Sequence, residues 1–431
     1  MNVSAQNDKD LNTAVNPTSN TAITTLILLA NAGYEKASEI LERMGVKKET
    51  VFHEIDPNDV INRSSDIVRE LRYVALNRTI EETGYQNLMD LPCGYTPKVF
   101  EFTAKGMNYN GCDLPAVIND FAPMIESMAD DHIKNLIHFS VVDVTNYESM
   151  KAAADKLEGP VCIATEGLTV YLSTDENAQL FRNIRRILAE KGGCWLNADA
   201  ETVEYYMAVY KAVAREKAGE LMRAITRGFG GQSDTNFGQQ HAGVAKQSAE
   251  GSWSVDYDAI RAVYTKLGLR VEKIPYYRDD LQLRLYSKMS DEEIERLKEN
   301  MKHVHVWKVT ADPDFDEHNE SQRKTGKAEN LPFEVKSEVK DDVLSVSIQG
   351  RVDTLTSPEL LKQFQEAGEV KEIRIDVSRM TYISSAGLRV LMMMFKSLEN
   401  KDRFEVTGVS ETVRDILETT GFDQLLLKER G

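Results

Sequence analysis

The sequence predicts an α/β protein in two parts: a mainly parallel, doubly wound sheet, followed by a small, separate α/β domain. Three observations predict it. Strand-like apolar runs alternate with helical stretches through the first part, a charged segment with almost no aliphatic residues runs from Thr310 to Pro332, and beyond it the pattern changes to a strand pair followed by further helices and strands. The division is therefore 1–309, a linker over 310–332, and 333–431.

In chain order, NLMDL reads as a strand with a helix over Pro97–Gly106, YNGCDL as a strand with a helix over Ala116–Ala129, and IHFSVVDV as a strand with a helix over Tyr147–Leu157. PVCIATEGL and a helix over Asp175–Glu190 follow, then GCWLNAD. Each helix returns the chain for another parallel strand, which is what makes the sheet doubly wound. The segment Glu201–Gln247, a long helix and then Arg227-Gly-Phe-Gly-Gly, reads as an insertion that forms a lid over an acceptor pocket. After the linker, Phe333–Val339 and Val343–Gln349 alternate like strands paired across Lys340–Asp342. A helix over Ser357–Glu366, a buried strand over Glu372–Val377, then a short loop and an apolar helix complete the reading, and no repeat crosses the linker, so the two parts look like a fusion.

Composition narrows the partners. The 431 residues are 42% hydrophobic and 28% charged, with a net charge of −17, which fits a folded soluble chain and repels phosphate backbones and anionic membranes. No nucleic-acid or membrane partner is expected. The first residues lack the basic-then-apolar order of a secretory signal, and the apolar stretches Ile23–Ala32 and Val390–Phe395 are too short to cross a bilayer, so a cytoplasmic location is expected. Cys93, Cys112, Cys162 and Cys194 are spaced too widely for a CxxC pair or a zinc framework and read as reduced, buried thiols. His303 and His305 alternate on an expected strand, but without further ligands they lead to no metal assignment.

Four acids stand at the carboxyl ends of successive strands: Asp90, Asp113, Asp143 and Glu166. In an open α/β sheet the ligand crevice lies outside those ends, so the four can converge on one molecule. The turn Asp90-Leu-Pro-Cys-Gly-Tyr-Thr-Pro places Gly94 where backbone passes close to a ligand, with Pro92 where a glycine-rich turn would have glycine. Asp113, about twenty residues further on, is suited to accept both hydroxyls of a ribose.

With Arg69-Glu-Leu-Arg72-Tyr73, Asp90-Leu-Pro-Cys-Gly94, Cys112-Asp113-Leu-Pro115, Val142-Asp143-Val and Glu166-Gly167-Leu-Thr-Val-Tyr171-Leu172, the first part resembles the leucine carboxyl methyltransferase-like branch of class I S-adenosylmethionine-dependent methyltransferases. The resemblance implies a Rossmann-like domain that binds S-adenosylmethionine and releases S-adenosylhomocysteine. It implies that Asp90 and Gly94 contact the methionine portion, Asp113 the ribose and Asp143 the adenine amine, that Arg72 holds the cofactor's carboxylate, and that Glu166 and Tyr171 border the transfer chamber. The acceptor is a carboxylate, which attacks directly, or a hydroxyl, which needs a base from Tyr171, Glu166 or Tyr205.

In the second part, Asp376-Val-Ser-Arg-Met-Thr-Tyr-Ile-Ser384-Ser385-Ala386-Gly387-Leu388 runs from a strand into a helix, so Ser384 or Ser385 sits at a helix N-terminus that receives anions well. With Gly350-Arg-Val-Asp353 and Val409-Ser-Glu-Thr-Val-Arg-Asp-Ile-Leu, this part resembles the STAS domains of bacterial anti-sigma factor antagonists. That resemblance implies a partner anti-sigma factor serine kinase and phosphorylation at Ser385 by position, Ser384 standing where the family has aspartate. Two functions are carried forward: an O-methyltransferase acting on a small molecule or protein and regulated by its STAS domain, and a signalling protein in which the methyltransferase fold is a degenerate ligand sensor.

Overall fold

The computed structural model describes residues 19–46, 60–172, 174–219, 257–315 and 331–410, together with 413, 414 and 417. The chain forms two compact units, one over 18–315 and one holding the described residues from 331 onward.

In the first unit, helices α1 (Ser19–Asn31), α2 (Glu35–Arg43) and α3 (Val60–Glu82) precede a seven-stranded sheet. Its strands are β1 (Asn87–Asp90), β2 (Asn108–Asp113), β3 (Ile137–Val141), β4 (Val161–Thr165), β5 (Gly193–Asn197), β6 (Leu269–Pro275) and β7 (His305–Ala311), in the order β3-β2-β1-β4-β5-β7-β6. Strands β1 to β5 pair in parallel, and β7 runs antiparallel to both β5 and β6. Helices α4 (Lys98–Thr103), α5 (Pro115–Met128), α6 (Asp131–Lys134), α7 (Tyr147–Ala154) and α8 (Thr174–Lys191) make the crossovers, and α9 (Thr202–Ala214), α10 (Tyr257–Lys266) and α11 (Asp291–Met301) follow. From β1 the chain winds outward through β2 and β3, then returns to β4 on the other side and winds through β5. The order reverses between β1 and β4, so a crevice opens above their carboxyl ends.

The sequence pattern found the parallel strands because β1, β2, β4 and β5 are buried along nearly their whole length, β1 and β4 exposing none of their residues, whereas β3 is largely half-buried and the edge strand β6 is mostly exposed. The last strand departs from the reading. It takes in Thr310 and Ala311, which composition had assigned to the linker, and the chain then turns so that Phe315 fills the space beside Gly268, where a Cβ would lie 2.4 Å from the Phe315 ring. The lid segment expected within Glu201–Gln247 is described only to residue 219, over α9 and the turn after it, and the rest lies outside the described residues.

The second unit is a four-stranded sheet in the order β11-β10-β9-β8, from β8 (Glu334–Lys340), β9 (Val343–Val352), β10 (Glu372–Ile383) and β11 (Phe404–Thr407). Strands β8 and β9 form a hairpin whose turn residues Asp341 and Asp342 both have positive φ, 51° and 61°, matching the twist that a two-residue hairpin turn requires. Helix α12 (Ser357–Glu366) returns the chain to β10 and α13 (Ser385–Ser397) to β11, both in parallel. Strand β10 is longer than expected. It reaches Ile383 through register shifts at Asp376/Arg379 and Met380/Tyr382, so residues 378–383 extend the ladder where polar residues had suggested a loop. Of the three consecutive methionines, Met394 is buried in the core and Met392 and Met393 pack at its margin.

Candidate active site

The carboxyl ends of β1 and β4 carry a chain of charges. Arg72, from the middle of α3, directs its Nε at Glu166 Oε1, 2.9 Å away. Lys98 opens α4 with its ammonium 3.1 Å from Asp90 Oδ1 and 3.3 Å from Glu166 Oε2. The Tyr109 hydroxyl donates to Asp90 Oδ2 at 2.9 Å. Lys98 and Asp90 are both 1% exposed, so two cations and two carboxylates are folded into the floor of the crevice rather than spread over a surface. Lys98 is off hydrogen-bond alignment with Glu166 Oε2, and that buried oxygen accepts no hydrogen bond among the described residues.

The protonation states follow. Burial opposes the charge on Glu166, but Lys98 and Arg72 outweigh it and hold the carboxyl below its ordinary range. Lys98 is likewise resisted by burial, yet the Asp90 and Glu166 carboxylates raise it and keep it protonated. Burial pushes Asp90 up, against the pull of Lys98.

Asp113 and Gly94 form the next step. Gly94 has φ 52°, a conformation that turns its N–H toward Asp113 Oδ2 at 2.8 Å, while Leu114 N–H donates to Oδ1 at 2.7 Å. Burial raises the Asp113 carboxyl to about 6 despite these two donors. Asp143 is held by its own loop, Oδ1 accepting from the backbone and hydroxyl of Thr145, both at 2.7 Å. The structure thus brings Arg72, Asp90 and Glu166 together, links Asp113 to Gly94, and places Asp143 at the end of the neighbouring strand.

Two residues of this site are absent from the sequence reading. Lys98 is one; its signal was a lone cation just after the first turn in a region otherwise supplied with acids. Asp199, just past β5, is the other. Its carboxylate accepts from the backbone N–H groups of Gly167 at 2.7 Å, Leu168 at 2.8 Å and Thr169 at 3.1 Å, fixing the loop that carries Glu166 and ends in the short helical turn Thr169–Tyr171. Tyr171 is half-buried there.

Three expectations are corrected. Tyr205 is no base: its hydroxyl donates to the Val68 carbonyl, and burial drives its phenol well upward. Glu166, held ionised by two cations, is a weak proton acceptor. His303 lies in the turn before β7, so it does not share a strand face with His305, whose Nδ1 meets Glu201 at 3.0 Å. Glu201 also takes the Trp307 indole N–H at 2.9 Å and Lys273 at 2.9 Å, tying β6 and β7 to the end of β5. The four cysteines are free and buried. No described helix is long and apolar enough to cross a membrane.

At the strand-to-helix junction of the second unit, Ser384 is the N-cap of α13. It is 1% exposed, its Oγ accepts from Gly387 N–H at 3.4 Å, and its own N–H donates to the Val352 carbonyl at 2.8 Å. Its hydroxyl is committed to the cap, which counts against Ser384 as a phosphorylation site. Ser385 begins the helix, and its side chain lies outside the described residues. Beside this junction Asp353 caps its own turn, accepting from Leu355 N–H at 3.1 Å and Thr356 N–H at 3.2 Å.

Residues 335–428 match the family model described as "Mlab, STAS domain". The anti-sigma-B factor antagonist of Listeria monocytogenes is 31% identical over 101 residues, which span 22% of this chain and 87% of that protein. Through its second unit, the chain belongs to the STAS family of anti-sigma factor antagonists. The crystal structure of an anti-sigma factor antagonist from Mycobacterium paratuberculosis is similar at 24% identity, covering 24% of this chain and 88% of that one, with a TM-score of 0.21. A provisionally assigned methyltransferase from Thermobifida fusca is similar in structure at 15% identity, covering 68% of this STAS-family chain and 94% of its own, with a TM-score of 0.31.

The donor set of the crevice fits S-adenosylmethionine. Its amino-acid end carries both a carboxylate and an ammonium, and Arg72 offers a cation to the first while Glu166 Oε2, ion-paired with Lys98 but accepting no hydrogen bond among the described residues, offers an acceptor to the second. Asp113 retains lone pairs for ribose hydroxyls beyond those used by Gly94 and Leu114.

Proposed function

We propose that the first unit is an S-adenosylmethionine-dependent O-methyltransferase and that the STAS unit regulates it. The observation that carries this reading is the Arg72–Glu166–Lys98–Asp90 chain at the strand-order reversal, in which Glu166 Oε2 is ion-paired with Lys98 yet accepts no hydrogen bond among the described residues. Arg72 would hold the cofactor's carboxylate, Glu166 its ammonium, Asp90 and the Gly94 backbone would support the methionine portion, Asp113 would take the ribose, and Asp143 the adenine amine. When bound, S-adenosylmethionine supplies a methyl already activated by its sulfonium, so the chain's task is alignment and exclusion of water. Tyr171, on the loop that Asp199 fixes, borders the transfer chamber. Since Glu166 is held ionised and Tyr205 is engaged, a carboxylate acceptor, which needs no base, is favoured over a hydroxyl; Tyr171 is the candidate base if the acceptor is a hydroxyl.

In the second unit, Ser385 is the proposed site for a partner anti-sigma factor kinase. A phosphate there would add about −1.5 to −2 charges where a neutral hydroxyl had stood. A second reading, in which the first unit is a degenerate sensor that serves signalling alone, draws support from the internal pairing of its acids: Asp90 is already taken by Lys98 and Tyr109.

Calorimetry of the full chain with S-adenosylhomocysteine tests the enzyme reading. Saturable binding is expected, and absence of heat at high concentration overturns it. For the switch, Ser385→Asp is expected to abolish binding to the partner kinase that Ser385→Ala retains; equal binding by both removes it.

A further inference from the structure

A buried phenol without a partner stands at the same edge of the sheet. Tyr276 follows β6, and because β5 and β6 both run antiparallel to β7, the end of β6 lies on the side of the sheet that carries Asp90, Glu166 and Asp199. Its backbone N–H is fixed by the Val304 carbonyl at 2.9 Å, and its ring packs on Tyr205 with centroids 4.6 Å apart. The side chain is 2% exposed, yet its hydroxyl has no hydrogen-bond partner among the described residues. Buried polar groups are almost always satisfied, and phenylalanine would fill the same space without the penalty, so an orphaned hydroxyl here calls for a ligand. Burial raises the phenol far enough to keep it a donor, and Arg72, Glu166 and Asp199 are among the charges it feels.

We propose that the Tyr276 hydroxyl donates to the carboxylate of the amino-acid end of S-adenosylmethionine, beside Arg72. The assignment rests on reading the first unit as an S-adenosylmethionine site. A neutral phenol and a guanidinium are both donors, which suits them to one carboxylate, while Glu166 across from Arg72 is the acceptor for the ammonium. Tyr210 is the internal comparison. It too is buried with an unpartnered hydroxyl, but the groups acting on it are Tyr206 and Arg69 rather than Arg72 and Glu166.

The test is calorimetry of the full chain with two probes: S-adenosylhomocysteine, and methylthioadenosine, which keeps the nucleoside thioether but lacks the amino-acid end. Tyr276→Phe is expected to weaken S-adenosylhomocysteine on the order of ten- to a hundredfold, as loss of a hydrogen bond to a charged group does, and to leave methylthioadenosine unchanged. Its ligand-free melting temperature is expected to hold or rise, and Tyr210→Phe to alter neither ligand. Unchanged S-adenosylhomocysteine affinity in Tyr276→Phe overturns the assignment. So does equal weakening of both probes, or a matching loss in Tyr210→Phe, either of which would mean general loosening of the tyrosine cluster. If the unaltered protein binds neither probe, the methyltransferase reading itself fails and takes this assignment with it.

Discussion

Lys98 and Asp90 are eight residues apart in the chain and 3.1 Å apart across the floor of the crevice, each 1% exposed. The ammonium of Lys98 is shared with Glu166, so it neutralises the ends of two adjacent strands that would otherwise repel.

Lys98→Met therefore leaves two buried carboxylates facing one another. Removing one partner of a buried ion pair costs about 3–5 kcal/mol. The chain's three tryptophans all lie at or before Trp307, so urea unfolding followed by tryptophan fluorescence reports on the first unit alone. The midpoint should fall sharply for Lys98→Met and recover in part when Glu166→Gln is added. An unchanged midpoint would refute the bridging role.

Asp113 gives the site a pH dependence. Its folded carboxyl titrates at about 6, above the ordinary value of 3.8, so the fold favours the neutral form and this group's contribution to stability is lost as pH rises from about 4 to 6. Binding runs the opposite way, because ribose hydroxyls need the ionised acceptor. S-adenosylhomocysteine affinity should be level above about pH 7 and drop about tenfold by pH 5. Asp113→Asn should bind weakly with no such slope; a slope that survives in the variant assigns the effect to another group.

Asp199 holds three N–H groups, and an asparagine there has one acceptor oxygen in place of two. Asp199→Asn should cost about 1–3 kcal/mol in the fluorescence transition and weaken S-adenosylhomocysteine by releasing the loop that carries Glu166. Stability loss with full affinity would confine Asp199 to a structural role.

In the second unit, Gly387 lies where α13 crosses β9. A Cβ there would come within 2.7 Å of Val352 Cγ1 and 2.9 Å of the Val352 carbonyl oxygen, and backbone cannot swing aside as a side-chain end can. Gly387→Ala should destabilise this unit by about 1–3 kcal/mol, read by calorimetric melting. An unshifted transition would mean that the helix seats more loosely than the geometry implies.

What the sequence made legible was whatever lies within one βα step. Asp90, Asp113, Asp143 and Glu166 could be found because each ends an apolar run, and the helix Ser357–Glu366 because its period and its proline at the start agree. Lys98, Asp199 and Tyr276 could not be found that way. A lysine at a helix start reads as solvated, and only the reversal between β1 and β4 turns it inward. Tyr276 comes to the same side of the sheet as Asp90 and Glu166 because β7 is inserted antiparallel between β5 and β6, a choice of strand order that no local pattern records. Residues 378–383 escaped for a related reason: the register shifts in β10 break the strict alternation by which a strand is recognised.

The Phe315 ring, seated against Gly268 with the Arg185 guanidinium 4.9 Å from its centre, bears on how the protein is to be cut for study. A fragment ending at residue 309, where composition places the edge, would strip the last two residues from β7 and pull an aromatic stopper out of the first unit. Clones of that unit should run through Phe315.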